Sequence, residues 1–241
     1  MQATQIEGVF TTVKVVDGRP EHLGLHIARL AESAGIVGLG TPDPAAVRRV
    51  VAAALEAAPL PLGRLRITWQ GTEAAATVDP QAPHPDTTSV IRARAARDPQ
   101  EPTVGAKTEA LGAQGRGLVA WARAQGVGDT VLATTDGRLC EGATSNVFYV
   151  VEGELRTPTL STGLLNGITR QLLLAAIDVH EADASYEVLH RADEIFLTSS
   201  LRGVQAVTVV DGRPVGSRPT GGPGPVTLAA ARSLAALPTD D

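Results

Sequence analysis

Of the 21 Lys and Arg residues in the chain, only Lys14 and Lys107 are lysines. Arginine serves as well as lysine in most surface roles, but its guanidinium stays protonated. Where a primary amine must attack a carbonyl, lysine is required. Lys107, in Gly105-Ala106-Lys107-Thr108, therefore invites a Schiff-base reading, against the plainer alternative of an exposed surface cation. Thirty-four residues downstream, Glu141-Gly142-Ala143-Thr144-Ser145-Asn146 sets an acid and a run of small residues before the apolar strand Val147-Phe148-Tyr149-Val150-Val151.

Other groupings are weaker. His22 and His26 could share a helix face, but no Cys or third ligand accompanies them and a zinc site wants three or four, so no metal is expected. The single Cys140 excludes an internal disulfide and reads as a small buried packing residue rather than a nucleophile. The glycines at 112, 115 and 117 lack the strand-turn-helix setting and acid of a dinucleotide fingerprint.

The lysine and the acid run together resemble the class IV, fold-type IV pyridoxal-phosphate enzymes. That family includes branched-chain and D-amino-acid aminotransferases and aminodeoxychorismate lyase. The resemblance covers almost the whole chain and implies pyridoxal 5'-phosphate as cofactor, with Lys107 as its amine and later the general base, and Glu141 as the acid at the pyridine nitrogen. It also implies a phosphate cup of three parts. Arg29 comes from His26-Ile27-Ala28-Arg29-Leu30, the amides of Ile168 and Thr169 from a helix start after Gly167, and the Ser200 hydroxyl from Phe196-Leu197-Thr198-Ser199-Ser200.

Phe10-Thr11-Thr12 resembles the lyase, whose second Thr lies near the catalytic lysine; the aminotransferases commonly carry Glu after the aromatic residue. Thr12 would hold that place. The stretch Gln70-Gly71-Thr72-Glu73-Ala74-Ala75 has no cation where aminotransferases carry an Arg-containing loop. The resemblance therefore implies a lyase that converts 4-amino-4-deoxychorismate to 4-aminobenzoate and pyruvate for folate synthesis. An aminotransferase for branched-chain or D-amino acids is the alternative, and a non-catalytic relic of the fold a third. A homodimer and a small-molecule substrate go with it. Two departures stand out: Ala110 and Leu111 replace the Asn and Tyr or Arg that often follow the lysine, and the Gly-Val-Phe element comes early, at 8–10.

The elements that must hold these residues are readable in outline. Val9–Val16 alternates as a strand and ends in the hairpin signal Asp17-Gly18. The hexapeptide Val-Val-Asp-Gly-Arg-Pro stands at both 15–20 and 209–214, which reads as repeated turn chemistry. Helices are expected over 25–34, 45–57, 118–125, 168–177 and 226–236, and strands over 62–69, 89–94, 130–134, 147–151, 194–197 and 204–210. Residues 213–225 read as a Gly- and Pro-rich loop. Strands outnumber a strict βαβ alternation, so an α+β fold follows. We expect a small N-terminal lobe at 1–95, a linker at 96–104, and a larger lobe at 105–241 that carries Lys107 and an antiparallel or mixed sheet or barrel. The site would lie between the lobes.

Composition narrows the class. At 43% hydrophobic and 20% charged the chain is an ordinary globular one, and with 3% aromatics its core must be aliphatic. A net charge of −5 gives neither a nucleic-acid footprint nor a cationic membrane face. Residues 1–6 lack a basic and apolar leader, so a cytoplasmic location is expected.

Overall fold

The computed structural model describes residues 8–216 and 222–239; the expectations for the leader at 1–6 and for part of the 213–225 loop lie outside these. The chain forms two compact units, one of residues 8–83, 105–113 and 238–239, the other of 84–104, 114–216 and 222–237.

The first unit is a four-stranded antiparallel sheet ordered β2-β1-β3-β4, with β1 (Val9–Val16), β2 (Arg19–Pro20), β3 (Leu62–Trp69) and β4 (Ala74–Pro80). Two helices cover one face, α1 (Leu23–Ile36) and α2 (Pro44–Ala57). Asp43 starts α2 by accepting from the Ala45 and Ala46 amides, just ahead of Pro44 at the first helical position. Strand alternation sends Val9, Val13 and Val15 of β1 and Leu65, Ile67 and Trp69 of β3 against Leu23, Ile27, Leu30 and Ala34 of α1 and Val47 and Val51 of α2. Each such side chain, fully buried, contributes about 1.5–3 kcal/mol.

The second unit is built on a mixed sheet ordered β10-β9-β8-β11-β12-β5-β6-β7, with β13 paired to β12. Its strands are β5 (Thr87–Arg92), β6 (Asp129–Ala133), β7 (Leu139–Gly142), β8 (Asn146–Val151), β9 (Glu154–Thr157), β10 (His180–Glu181), β11 (Glu194–Ser199), β12 (Gly203–Val210) and β13 (Arg213–Pro214). β7 ends the order, yet only residues 143–145 separate it from β8, third from the other end, so the sheet curls strongly. β8 is buried on both faces. Val147, Tyr149 and Val151 join a cluster with Tyr186, Val188 and Leu189, while Phe148 and Val150 meet Leu173 of α4 (Ile168–Ala176) and Ala230 of α5 (Pro225–Ala235). Phe148 stacks on Phe196 of β11 with centroids 4.9 Å apart. The architecture is the expected α+β class with a mixed, curled sheet.

The two copies of the hexapeptide fold alike. Asp17-Gly18 and Asp211-Gly212 all have positive φ, turning β1 into β2 and β12 into β13.

The units differ from the expected lobes in two places, each for a reason of pairing. Residues 84–95 group with the second unit because β5 lies parallel between β12 and β6. The linker stretch is pinned there as well, since the Arg97 amide donates to Ala133 O. Residues 105–113, and Lys107 with them, group with the first unit through backbone pairing to β1. The helix expected from 118 begins earlier, as α3 (Glu109–Ala124).

Candidate active site

In the first unit, β2 pairs with β1 only at Val15 and Val16, so the start of β1 has an open edge. Residues 107–109 fill it. The Phe10 amide donates to Lys107 O at 2.9 Å, the Glu109 amide donates to Gly8 O at 3.1 Å, and Val9 and Thr108 form a bridge. The Lys107 amide donates to Ser33 Oγ of α1 at 3.1 Å. Thr108 then opens α3, its Oγ1 accepting from the Leu111 amide. The backbone of the lysine is thus fixed from three directions, while its half-buried side chain carries Nζ to 4.9 Å from the Phe10 ring centroid.

Phe10 and Thr12 point to the same face of β1 by strand alternation. The Lys107 amine thus stands beside the Phe10 ring, two residues along β1 from Thr12. Arg66 of β3, the register partner of Thr12, stands 3.8 Å over the Phe10 ring and pairs with Glu109 at 2.5 Å. A cation thus stands in the strand before the 70–75 loop, paired with Glu109. Its signal was available, because Arg64, Arg66 and Thr68 alternate with Leu65, Ile67 and Trp69.

The opposite face of β1 holds a buried polar cluster that sequence reasoning left unread. Arg29 of α1 is 6% exposed; its Nη2 donates to Thr11 Oγ1 at 2.6 Å and lies 3.2 Å from His26 Nδ1. Thr11 Oγ1 and His26 Nδ1 are 2.7 Å apart. Among the described residues no carboxylate lies within ion-pair distance of Arg29. Burial draws its pKa down to about 10, opposed only by the exposed Glu32. The helix spacing of His26 and Arg29, three apart, and the parity of Thr11 on β1 were the signals for this cluster.

In the second unit, β7 delivers Glu141 to a buried position, 5% exposed. Its Oε1 accepts from Arg97 Nη2 at 2.6 Å and its Oε2 from the Leu165 amide at 3.0 Å. Arg97 is an unforeseen partner. Burial acts against its charge, but Glu141 outweighs burial and raises its pKa. The neighbouring Cys140 is fully buried and donates to Thr162 O; burial first, and the Glu141 charge second, push its thiol up to about 12. That thiol is a packing group.

Leu165 leads into α4, which starts at Ile168 after Gly167 with no side chain capping its N-terminus. Asn146 of β8 holds this turn by donating from Nδ2 to Leu165 O at 2.8 Å, and a Cβ on Gly167 would stand 2.2 Å from Asn146 Oδ1. Asn146 is in register with Thr198 of β11, and Ser200 lies one residue past the end of that strand. The unit thus links Glu141, the amides of Ile168 and Thr169, and the approach to Ser200 through one run of contacts. The hydroxyls of Ser145 and Thr198 are buried there without a hydrogen-bond partner.

The sequence profile described as amino-transferase class IV matches residues 8–210. The chain belongs to the class IV aminotransferase family. Within it, the branched-chain-amino-acid aminotransferase of Escherichia coli K12 is 36% identical over 111 residues, which is 44% of this chain and 35% of that protein. The chain spans less than half the length of the curated relatives it matches. A hypothetical aminotransferase from Mycobacterium tuberculosis, solved in a PLP-bound form, superposes with a TM-score of 0.81 at 27% identity, covering 96% of this chain and 89% of that one. A proposed 4-amino-4-deoxychorismate lyase from Legionella pneumophila superposes at 0.84 over 95% and 90%, and its 21% identity speaks to the fold alone.

Proposed function

We propose that this class IV enzyme uses pyridoxal 5'-phosphate and acts as a lyase, converting 4-amino-4-deoxychorismate to 4-aminobenzoate and pyruvate. The cofactor follows from the family, and the residues fit it. A buried guanidinium with no carboxylate suits a phosphate, as does an uncapped helix start beside unpartnered hydroxyls. When bound, this cofactor supplies an aldehyde for amines and an electron-withdrawing pyridinium ring.

The chain's own residues then divide the work. Arg29, the amides of Ile168 and Thr169, and Ser200 would hold the phosphate. Glu141 would face the ring nitrogen, its carboxylate oriented by Arg97 and the Leu165 amide. Lys107 would hold the cofactor aldehyde, and its amine is the group placed to take and return protons. In the lyase reaction the substrate ring loses a proton, its bond to the enolpyruvyl oxygen breaks, and the departing group gains a proton to leave as pyruvate.

The observation that carries the lyase reading is the Lys107 amine beside the Phe10 ring, with Thr12 two residues along the same strand, where a hydroxyl would relay or orient that proton. A homodimer working in the cytoplasm on a small-molecule substrate goes with this reading. One observation favours an aminotransferase instead: Arg66 sets a cation beside Phe10, where a substrate carboxylate would compete with Glu109 for it. Assays with aminodeoxychorismate, and separately with amino acids and 2-oxoglutarate, decide between them. Release of 4-aminobenzoate and pyruvate is the expected result. Steady transamination without either product would replace the lyase by the aminotransferase.

A further inference from the structure

Arg29 is held by two neutral groups, and their chemistry restricts how they can hold it. A guanidinium only donates, so both contacts of Nη2, to Thr11 Oγ1 at 2.6 Å and to His26 Nδ1 at 3.2 Å, need acceptors. We assign Nδ1 as carrying no hydrogen, the tautomer in which it accepts from Arg29. The Thr11 hydroxyl, 2.7 Å from Nδ1, then turns its hydrogen onto the imidazole and a lone pair toward Arg29. The ring proton is left on Nε2. An imidazolium would set N–H against the Arg29 N–H and add a second cation beside it.

We propose that Thr11 and neutral His26 are positioning residues that set the Arg29 guanidinium for the cofactor phosphate. The proposal rests on the reading of Arg29 as a phosphate ligand. His26 is 1% exposed, and burial first, then the charges of Arg29, Lys107 and His22, hold its pKa well below the ordinary value. These charges come from α1, the segment beside β1 and the turn before α1. Thr11 is thus fully buried for a reason that its neighbour Thr12, on the other face, does not share. A long, flexible arginine binds an anion well only if its direction is fixed beforehand.

The test compares the dissociation constants of pyridoxal phosphate and of pyridoxal for the apoprotein, because only the first reads the phosphate contact. Thr11→Val should cut the preference for the phosphorylated form about tenfold and leave pyridoxal binding unchanged. Thr11→Ser, which keeps the hydroxyl, should restore it. Arg29→Ala is the control. If it lowers the preference and Thr11→Val does not, the positioning proposal is overturned while Arg29 stands as a ligand. If Arg29→Ala itself leaves the preference unchanged, the phosphate reading of Arg29 falls and takes the proposal with it. Nitrogen NMR of the wild-type histidines is independent of any variant's folding. It should find His26 neutral with its proton on Nε2 at about pH 6, and titration near its ordinary pKa of about 6.5, or a proton on Nδ1, overturns the proposal.

Discussion

Arg29 in the first unit and the arginines Arg97, Arg170 and Arg202 in the second are built differently. Arg202 pairs with Asp129 at 2.8 Å, Arg97 with Glu141 at 2.6 Å, and Arg170 with Glu181. Arg29 has only a hydroxyl and an imidazole. All four leave Nε without a partner, so an idle Nε marks nothing by itself. The missing carboxylate is the difference. Burying an ion costs several kcal/mol even after relaxation, and a nearby countercharge is the usual compensation. The arginines of the second unit serve carboxylates already in the fold, whereas Arg29 has none among the described residues and, on our reading, takes the cofactor phosphate.

The comparison can be broken most forcefully at Asp129. Asp129→Ala strands Arg202 in the interior and should lower the unfolding free energy in urea by about 3–5 kcal/mol. Arg29→Met strands no carboxylate and removes a buried charge, so it should leave the apoprotein no less stable than wild type. Equal large losses would mean that Arg29 is as structural as Arg202.

Next comes Glu141, whose carboxylate serves an arginine and, on our reading, the cofactor ring. Glu141→Gln should still admit cofactor but reduce turnover about 100-fold or more, since a neutral amide no longer favours the pyridinium. A normal rate would put another group at the ring nitrogen.

The smallest of the three effects concerns Arg29 itself. Arg29→Ala should weaken cofactor binding roughly tenfold or more, and Arg29→Lys should recover part of it. The sign of the pH effect follows from burial. Because the folded pKa is drawn down to about 10, the cost of the charge is fully present below that pH and disappears as pH rises through the ordinary arginine value. At neutral pH a bound phosphate therefore has the whole of that cost to relieve. If apoprotein stability were flat from about pH 9 upward in a comparison of wild type with Arg29→Met, Arg29 would carry no such cost.

Local chemistry made much of this legible in the sequence. β1 and its Asp-Gly turn followed from alternation and turn type, as did the second copy of the hexapeptide. Lys107, Arg29 and Glu141 stood out through residue type and order along the chain. What stayed hidden depends on distant partners. β4, with its Ala74-Ala75-Ala76 start, has weak strand propensity and forms because β3 pairs along its whole length. The first half of α3 is obscured by Gly112, Gly115 and Gly117, yet Gly115 is needed, since a Cβ there would stand 2.3 Å from Ala143 O. The pairing of 107–109 with β1, and the Arg97 contact to Glu141, join residues far apart in sequence and leave no local pattern to read.

The central claim is that Lys107 is the amine that takes the cofactor aldehyde, and it can be read covalently. Borohydride reduction of the protein loaded with pyridoxal phosphate, followed by proteolysis and mass spectrometry, should find the phosphopyridoxyl label on the peptide containing Lys107, with Lys107→Ala unlabelled and inactive. Lys14, paired with Glu21 at 3.3 Å, is the other lysine in the chain. Label on Lys14 alone, or a colourless protein that takes up no cofactor, would contradict the account.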